Sequence, residues 1–205
     1  TCYLLDKIGV NINTVPVLDV RHKKSNNIIG NRSFDSNPKI VSKIGDYFIN
    51  QFHKNNIATV IKHIPGHGLA KVDSHKSTPI VKSKLKDLNK IDFLAFKNKK
   101  SLFAMTAHII YQDIDKKFTA THSKEVIKLI KNKIKFNNLL ISDDISMKAL
   151  KFSIKENTIK AFKAGCDLVL HCNAKHGEMI TVAKNSPKVN TLITKKTSQF
   201  YKILG

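Results

Sequence analysis

Short apolar segments alternate with longer amphipathic segments along this chain. The short segments are rich in β-branched residues and bounded by polar residues, which is typical of strands buried on both faces. The predicted strands are residues 13–18, 58–61, 102–107, 139–142 and 167–170.

The amphipathic segments predict helices. Residues 38–52, 123–133 and 154–164 repeat apolar side chains at three- and four-residue spacing, and Gly165 is placed to end the third helix. The tail from residue 178 predicts two more helices, separated by a Ser-Pro break.

Strands that alternate with helices imply parallel pairing and right-handed crossovers, so the fold class is α/β. An open doubly wound sheet and a closed (β/α) barrel both fit. Polar residues follow the strands at Asp19, 62–63, His108, 143–144 and 172–173, and in a barrel such positions converge on one mouth. The chain has no Gly-rich phosphate loop, which favours the barrel over the open sheet. Only five strands are clear, whereas a full barrel has eight.

Composition limits the number of domains and the cellular location. The 205 residues are 41% hydrophobic, enough for one core, so we expect a single domain over residues 1–205. No apolar run approaches the ~18 residues of a membrane span, and the first residues carry neither a signal-peptide pattern nor an initiator Met. Three cysteines in no metal-binding spacing indicate reduced thiols. We therefore expect a cytoplasmic protein without a membrane partner.

The formal charge of +21 raises the question of nucleic-acid binding. The lysines are spread over the whole chain, there is no Trp, and no basic patch is interleaved with aromatic residues that could stack on bases. We therefore expect no nucleic-acid partner, although the charge would attract small anionic substrates.

Residues 62–75, KHIPGHGLAKVDSH, are the most unusual segment, because three histidines and an aspartate share a loop with two glycines. Asp73 and His75 are close enough in sequence to form a carboxylate–imidazole pair of the kind that orients a catalytic histidine. A zinc site and a solvated loop are the alternatives, although the spacing matches no zinc motif.

The strand at 139–142 ends in Asp143 and Asp144. Adjacent strand residues point to opposite faces, so the two acids are expected to have different roles. One would be a nucleophile or metal ligand and the other would brace a loop, or both would cap the next helix. Arg32, in a Gly-Asn-Arg-Ser turn, is either solvated or a fork that grips substrate oxygens.

Six segments together resemble one known family, the bacterial β-N-acetylhexosaminidases of glycoside hydrolase family 3, which act in peptidoglycan recycling. The resemblance covers nearly the whole chain, in order. The segments are NTVPVLDV (13–20), GNRSFDSNP (30–38), KHIPGHGLAKVDSHKSTP (62–79), AMTAHIIY (104–111), LLISDDISMKAL (139–150) and AGCDLVLHCN (164–173).

The resemblance implies a TIM-type barrel and a retaining mechanism with a covalent glycosyl-enzyme. By motif position, Asp143 is the nucleophile, and His75 protonates the leaving oxygen and then deprotonates water. Asp73 holds His75 as a dyad, and Asp144 is structural. A histidine in place of the usual second carboxylate has an unperturbed pKa of about 6.5, suited to cytoplasmic pH.

The resemblance also implies the ligands. Arg32, Lys62 and His63 would contact N-acetylglucosamine, and the substrate would be a GlcNAc–anhydro-N-acetylmuramic acid muropeptide. No cofactor and no metal are required, and we expect a monomer. A β-glucosidase of the same family is the rival within this fold, but those enzymes usually take their acid/base from a second domain.

The chain departs from the family pattern at its beginning. It lacks the first barrel strands and their Asp-Gln-Glu-Gly-Gly-Arg type motif, so it corresponds to an N-terminally incomplete barrel, from roughly the third strand onward. We expect such a chain to be poorly stable and weakly active on its own. The alternative function is a catalytically incomplete fragment or remnant that binds substrate without turnover.

Overall fold

A computed structural model of the chain describes residues 1–22 and 28–204. Within these residues a curled, five-stranded parallel sheet has the strand order β1-β2-β4-β6-β7, and β3 and β5 form a separate parallel pair. The strands are β1 (Ile12–Asn13), β2 (Ala58–Ile64), β3 (Ile80–Val81), β4 (Phe103–Thr106), β5 (Ile110–Tyr111), β6 (Leu139–Asp144) and β7 (Leu168–Leu170).

Seven α-helices lie before, between and after these strands in the described residues. They are α1 (Cys2–Lys7), α2 (Pro38–Lys54), α3 (Leu85–Lys90), α4 (Lys124–Leu129), α5 (Ile154–Ala164), α6 (His176–Asn185) and α7 (Thr191–Leu204). Short 3₁₀ turns lie at Gly30–Arg32 and Leu94–Phe96, and a π-helical turn at Ile130–Ile134 continues α4. No helix among the described residues is long and apolar enough to cross a membrane.

The prediction for residues 154–164 is confirmed, because α5 has these bounds. A reciprocal capping box between Ser153 and Glu156 begins the helix, and Gly165, at φ +114°, ends it. The helix predicted at 123–133 instead divides into α4 and the π-helical turn.

The strand predicted at 13–18 is wrong in extent. Only Ile12–Asn13 pairs as a strand, and Pro16 has no N–H to donate to a ladder. The chain still runs beside β2, because the Lys62 N–H donates to the Pro16 carbonyl and the Leu18 N–H donates to the Lys62 carbonyl. This irregular segment delivers the next residue, Asp19, to the end of β2.

Alternate strand residues pack on opposite faces of the sheet. One face buries the larger core against the helices, with Ile61, Ala104 and Leu140 among its strand residues. The other face carries a smaller cluster of buried residues, Ala58, Val60, Leu102, Phe103, Met105 and Leu139. In a closed barrel this second face would be the interior.

Helix α7 packs on the smaller cluster. The Phe200 ring lies 6.4 Å from the Phe103 ring, centroid to centroid, and Lys196 Nζ donates to the Asn138 carbonyl at 3.1 Å. Asn138 immediately precedes β6, so α7 covers the inner face near the start of the strands. The sheet supplies five of the eight strands of a closed barrel.

Close backbone contacts make Gly68 irreplaceable in the loop that follows β2. A Cβ at this position would lie 1.9 Å from the Val20 carbonyl oxygen. The loop is therefore pressed against the backbone next to Asp19.

We expect Gly68→Ala to destabilise the chain by at least about 2 kcal/mol, because backbone atoms must move to admit the methyl group. Gly177→Ala is the matched control: a Cβ there meets nothing within 4 Å, so it should be neutral or slightly stabilising. Urea unfolding measures both, and equal midpoints for the two variants would contradict the packing described here.

Candidate active site

The carboxyl ends of the parallel strands bring the candidate residues together. Lys62 and His63 lie near the end of β2, and Asp143 and Asp144 end β6. Asp19 follows the segment that runs beside β2. Parallel strands end at one edge of their sheet, so residues distant in sequence share one mouth.

Asp19 is fully buried and holds the turn after β2. Its Oδ1 accepts from the His67 N–H at 2.7 Å, its Oδ2 from His63 Nδ1 at 2.7 Å, and both oxygens lie 3.2 Å from the His63 N–H. Burial alone would raise the pKa of Asp19, but the charge and hydrogen bonds of His63, together with the N–H of His67, leave this pKa below its usual value. The carboxylate is therefore ionised at neutral pH.

His63 lies between two carboxylates. Because Asp19 is ionised and can only accept, His63 Nδ1 carries a proton and donates it. The other ring nitrogen, Nε2, lies 4.0 Å from Asp143 Oδ2. The Asp143 side chain is 18% exposed, so its carboxylate remains accessible to a ligand.

The two adjacent acids of β6 have different surroundings. Asp143 Oδ1 accepts from the Asp144 N–H at 2.8 Å. The Asp144 carboxylate accepts from Ser146 N–H and Oγ at 3.0 and 2.6 Å, and from the Cys172 N–H at 3.1 Å. Asp144 thus joins the segments after β6 and β7, which leaves Asp143 as the acid that faces the mouth.

Lys62 and Arg32 add positive charge to this region. Burial lowers the pKa of Lys62, the Asp143 carboxylate opposes that shift, and Arg32 adds to it. Lys62 Nζ donates to Thr14 Oγ1 at 3.3 Å, and exposed Arg32 donates from Nη2 to the Ile28 carbonyl at 2.6 Å. The structure therefore places Lys62, His63 and Asp143 together, with Arg32 close to Lys62.

The structure does not form the ring contact expected of Asp73 and His75. Asp73 Oδ1 accepts from the backbone N–H of His75 at 2.9 Å, and His75 is exposed. Among the described residues, no hydrogen bond joins the Asp73 carboxylate to the His75 ring. A two-residue spacing suits a local turn, in which the backbone N–H competes with the ring for the carboxylate.

The loop that carries His75, residues 74–78, is attached at both ends to the segment after β6. The Ala149 N–H donates to the Ser74 carbonyl at 3.1 Å, and Thr78 Oγ1 donates to the Ala149 carbonyl at 2.7 Å. These two bonds flank His75 in sequence. The loop is therefore fixed at its base while the His75 side chain is left exposed to solvent.

Sequence reasoning assigned no role to Asp19, His67 or His108. His67 is 3% exposed, its ring lies 5.4 Å from that of His63, and its Nδ1 has no hydrogen-bond partner among the residues that the structure describes. Asp19, His108 and Asp143 all lie at the carboxyl ends of segments of the barrel sheet. This shared position is the sequence signal that could have assigned Asp19 and His108 to the site. Their bonding partners are distant in sequence and are visible only in the fold.

The chemistry open to this cluster is acid–base and nucleophilic. Within residues 1–22 and 28–204, no three His, Cys, Asp or Glu side chains are arranged to hold a metal ion. The ionised Asp19, the imidazole of His63 and the accessible Asp143 carboxylate form a row of alternating acceptor and donor groups. Such a mouth suits a polyhydroxylated ligand, whose hydroxyl groups both donate and accept.

The fold and this mouth define a partial (β/α) barrel of the type that carries catalytic groups at its strand ends. The family model described as "Glycosyl hydrolase family 3 N terminal domain" matches residues 3–199 of this chain. The chain therefore belongs to glycosyl hydrolase family 3, through the N-terminal domain of that family, and the family expected from its motifs is confirmed.

Individual relatives agree with the family match. A "Beta-hexosaminidase" of Idiomarina loihiensis is 31% identical over 184 residues, covering 88% of this chain and 55% of the relative. Another "Beta-hexosaminidase", of Actinobacillus pleuropneumoniae, is 35% identical over 176 residues, covering 83% and 50%. The chain thus spans about half the length of these curated relatives.

Solved structures support the same fold. Native NagZ from Neisseria gonorrhoeae superposes with a TM-score of 0.85 at 28% identity, over 97% of this chain and 58% of that one. The expectation of an incomplete TIM-type barrel is therefore confirmed.

Two buried histidines should make the chain sensitive to acid. Burial, assisted for His67 by the charge of His63, lowers the pKa of His67 to about 4, and burial likewise lowers that of His122 to about 4. An unfolded histidine titrates at about 6.5, so the unfolded state binds more protons between these values. The stability is present above pH ~6.5 and lost as the pH falls toward ~4, by about 2 kcal/mol per residue between about pH 7 and pH 5.

Urea unfolding at these two pH values measures the loss. His122→Gln removes one titrating group and should lose about 2 kcal/mol less over the interval than the unsubstituted chain. An identical pH dependence for both proteins would show that His122 is not buried in its neutral form.

Proposed function

We propose that residues 1–205 are part of the catalytic domain of a retaining β-N-acetylglucosaminidase that removes terminal GlcNAc from anhydro-muropeptides. The observation that carries the proposal is the strand-end cluster, in which Asp143 Oδ2 lies 4.0 Å from His63 Nε2 beside the ammonium group of Lys62. The "Beta-hexosaminidase" relatives support this substrate class. So does a structure of NagZ from Neisseria gonorrhoeae in complex with N-trifluoroacetyl-D-glucosamine, at 27% identity and TM-score 0.86.

In this mechanism Asp143 attacks the anomeric carbon through Oδ2. Its other oxygen already accepts the Asp144 N–H, so Oδ2 is the more nucleophilic of the two. Attack expels the leaving oxygen and forms a covalent glycosyl-enzyme, which water hydrolyses in a second step with net retention. Arg32 and Lys62 bind the sugar as hydrogen-bond donors, His63 contacts it through Nε2, and together they fix the anomeric carbon over Asp143.

His75 is the acid and base of the two steps, oriented by Asp73. Imidazole is the side chain suited to this double role, because its unperturbed pKa of about 6.5 lies close to cytoplasmic pH. The His75 side chain is exposed, and the loop is attached to Ala149 at Ser74 and at Thr78. Residues 75–77, between these two attachments, must therefore close over the sugar to bring the ring to the leaving oxygen. Closure would also allow the Asp73 carboxylate to exchange its backbone partner for the imidazole.

The proposed setting is a cytoplasmic monomer acting on a soluble muropeptide without a cofactor. The peptide carboxylates of such a substrate are complementary to a chain of net charge +21. The second candidate is a domain that binds the sugar without turnover. It is favoured by the exposed position of His75, whose backbone N–H rather than its ring contacts Asp73.

Hydrolysis of 4-nitrophenyl N-acetyl-β-glucosaminide tests the proposal. Asp143→Asn should lower kcat at least about 10³-fold, because the nucleophile is lost. His75→Ala should lower it by about 10²–10⁴-fold, and by much less with a dinitrophenyl leaving group, which needs no proton. Asp87→Asn, at an exposed position of α3, is the matched control and should be neutral.

Full activity of Asp143→Asn would overturn the nucleophile assignment, and hydrolysis of the aryl glucoside at a similar rate would overturn the substrate class. If no variant turns over, calorimetric titration with N-acetylglucosamine decides the second candidate. Binding by the unsubstituted chain that is weakened in Lys62→Met would establish the sugar-binding domain.

A further inference from the structure

His108 is a buried histidine that the mechanism above does not use. It lies just after β4 with no solvent exposure, and both of its ring nitrogens have partners. Nδ1 is 2.7 Å from Thr121 Oγ1, and Nε2 is 3.0 Å from the main-chain carbonyl oxygen of Asp144.

These partners determine which ring nitrogen carries the proton. A carbonyl oxygen can only accept, so Nε2 must donate to Asp144. Burial lowers the pKa of His108, against the opposing influence of Asp143 and Asp144, so the ring is neutral near pH 7 and Nδ1 is an acceptor. The Thr121 hydroxyl therefore donates a hydrogen bond to His108 Nδ1.

The hydroxyl of Thr106 completes the chain of donors. It lies 2.9 Å from Thr121 Oγ1. Because the Thr121 hydrogen is already donated to His108, Thr121 Oγ1 accepts the hydrogen bond from Thr106. The competing acceptor for the Thr121 proton, the Ala107 carbonyl at 3.4 Å, is the longer contact. The bonds run in one direction, from Thr106 to Thr121, to His108 and to the Asp144 carbonyl.

The end of this chain fixes the residue next to the proposed nucleophile. Asp144 is held through its carbonyl by His108 and through its carboxylate by Ser146 and the Cys172 N–H. Its own N–H donates to Asp143 Oδ1 at 2.8 Å. That contact occupies one oxygen of Asp143 and leaves the other turned toward His63.

We propose that His108 is a positioning residue for Asp143. Held as the Nε2–H tautomer by the two threonine hydroxyls, it fixes the Asp144 backbone and so decides which carboxylate oxygen of Asp143 attacks the sugar. The catalytic part of this inference rests on the function proposed above, whereas the hydrogen-bond chain itself is testable without turnover.

Nitrogen-15 NMR of the histidine rings in the unsubstituted chain is the first test. We expect the His108 signals to report a proton on Nε2 and none on Nδ1 at neutral pH, because burial holds the pKa of His108 below its usual value. A proton on Nδ1, or a titration midpoint near neutral pH, would overturn the proposal.

Two substitutions test the two hydrogen bonds of the His108 ring separately. His108→Gln places an amide N–H near the position of Nε2 and keeps the bond to the Asp144 carbonyl. His108→Asn places its oxygen near the position of Nδ1 and cannot reach that carbonyl. We expect His108→Asn to lower kcat about 10- to 100-fold with KM changed less than about twofold, and His108→Gln to restore kcat to within about threefold of the unsubstituted chain.

His122→Gln is the matched control. His122 is also a buried histidine whose Nε2 lies near a main-chain carbonyl, that of Asn157 at 3.2 Å. In the described part of the chain no hydrogen bond joins it to Asp143 or Asp144. Its substitution should affect stability and leave kcat unchanged. Equal losses of kcat in all three variants would reduce His108 to a structural residue and overturn the proposal.

Amide exchange at Asp144 gives a readout that does not need activity. Its N–H is the group that contacts Asp143 Oδ1, so its protection should fall in His108→Asn and be retained in His108→Gln. If the chain has no hydrolytic activity, this pattern still supports the positioning role while the proposed function fails. Unchanged protection in His108→Asn would overturn the positioning role whatever the activity.

Discussion

The ionised carboxylate of Asp19, buried without solvent contact, is the constraint on which the rest of the mouth depends. An unpaired buried carboxylate would cost many kcal/mol, so the fold must supply donors for it. The donors are the backbone N–H groups of His63 and His67 and the ring of His63. The turn after β2 therefore takes an arrangement that directs these donors at Asp19.

That arrangement determines what the barrel presents to a ligand. Because His63 donates its Nδ1 proton to Asp19, its Nε2 side is directed at Asp143. The carboxylate of Asp144, in contrast, accepts hydrogen bonds from the segments that follow β6 and β7. The same strand edge thus contains two acids with both carboxylate oxygens hydrogen-bonded, Asp19 and Asp144. The third acid, Asp143, has one oxygen turned toward His63. This difference in hydrogen bonding distinguishes a structural carboxylate from a candidate nucleophile.

Much of the framework could be predicted from the sequence, because its signals are local. The helix at 154–164 has a capping sequence before it and Gly165 after it, and the strand at 139–142 is a continuous apolar run. Both patterns reflect interactions between residues within a few positions of each other. The early strand was predicted too long because the apolar pattern around Pro16 outweighed the missing N–H of that residue.

The parts of the site that could not be predicted depend on contacts between distant residues. Asp19 and the ring that it holds are separated by 44 positions, and His108 and the Asp144 carbonyl by 36. The expected contact of Asp73 with the His75 ring is not formed in this structure for the opposite reason, because a local backbone N–H occupies the carboxylate. Sequence position identified which residues lie at strand ends, whereas the partner of each one follows from the three-dimensional sheet.

Residue-resolved amide hydrogen exchange in Asp19→Asn, compared with the unsubstituted chain, tests the central role of Asp19 most directly. The uncharged amide keeps the shape of the side chain but offers one acceptor oxygen in place of two. Protection of the His63 and His67 amides should fall at least about tenfold, while amides in the middle of β4 and β6 keep theirs. Unchanged protection at His63 and His67 would show that the turn after β2 is ordered without Asp19, and would contradict this account of how the mouth is assembled.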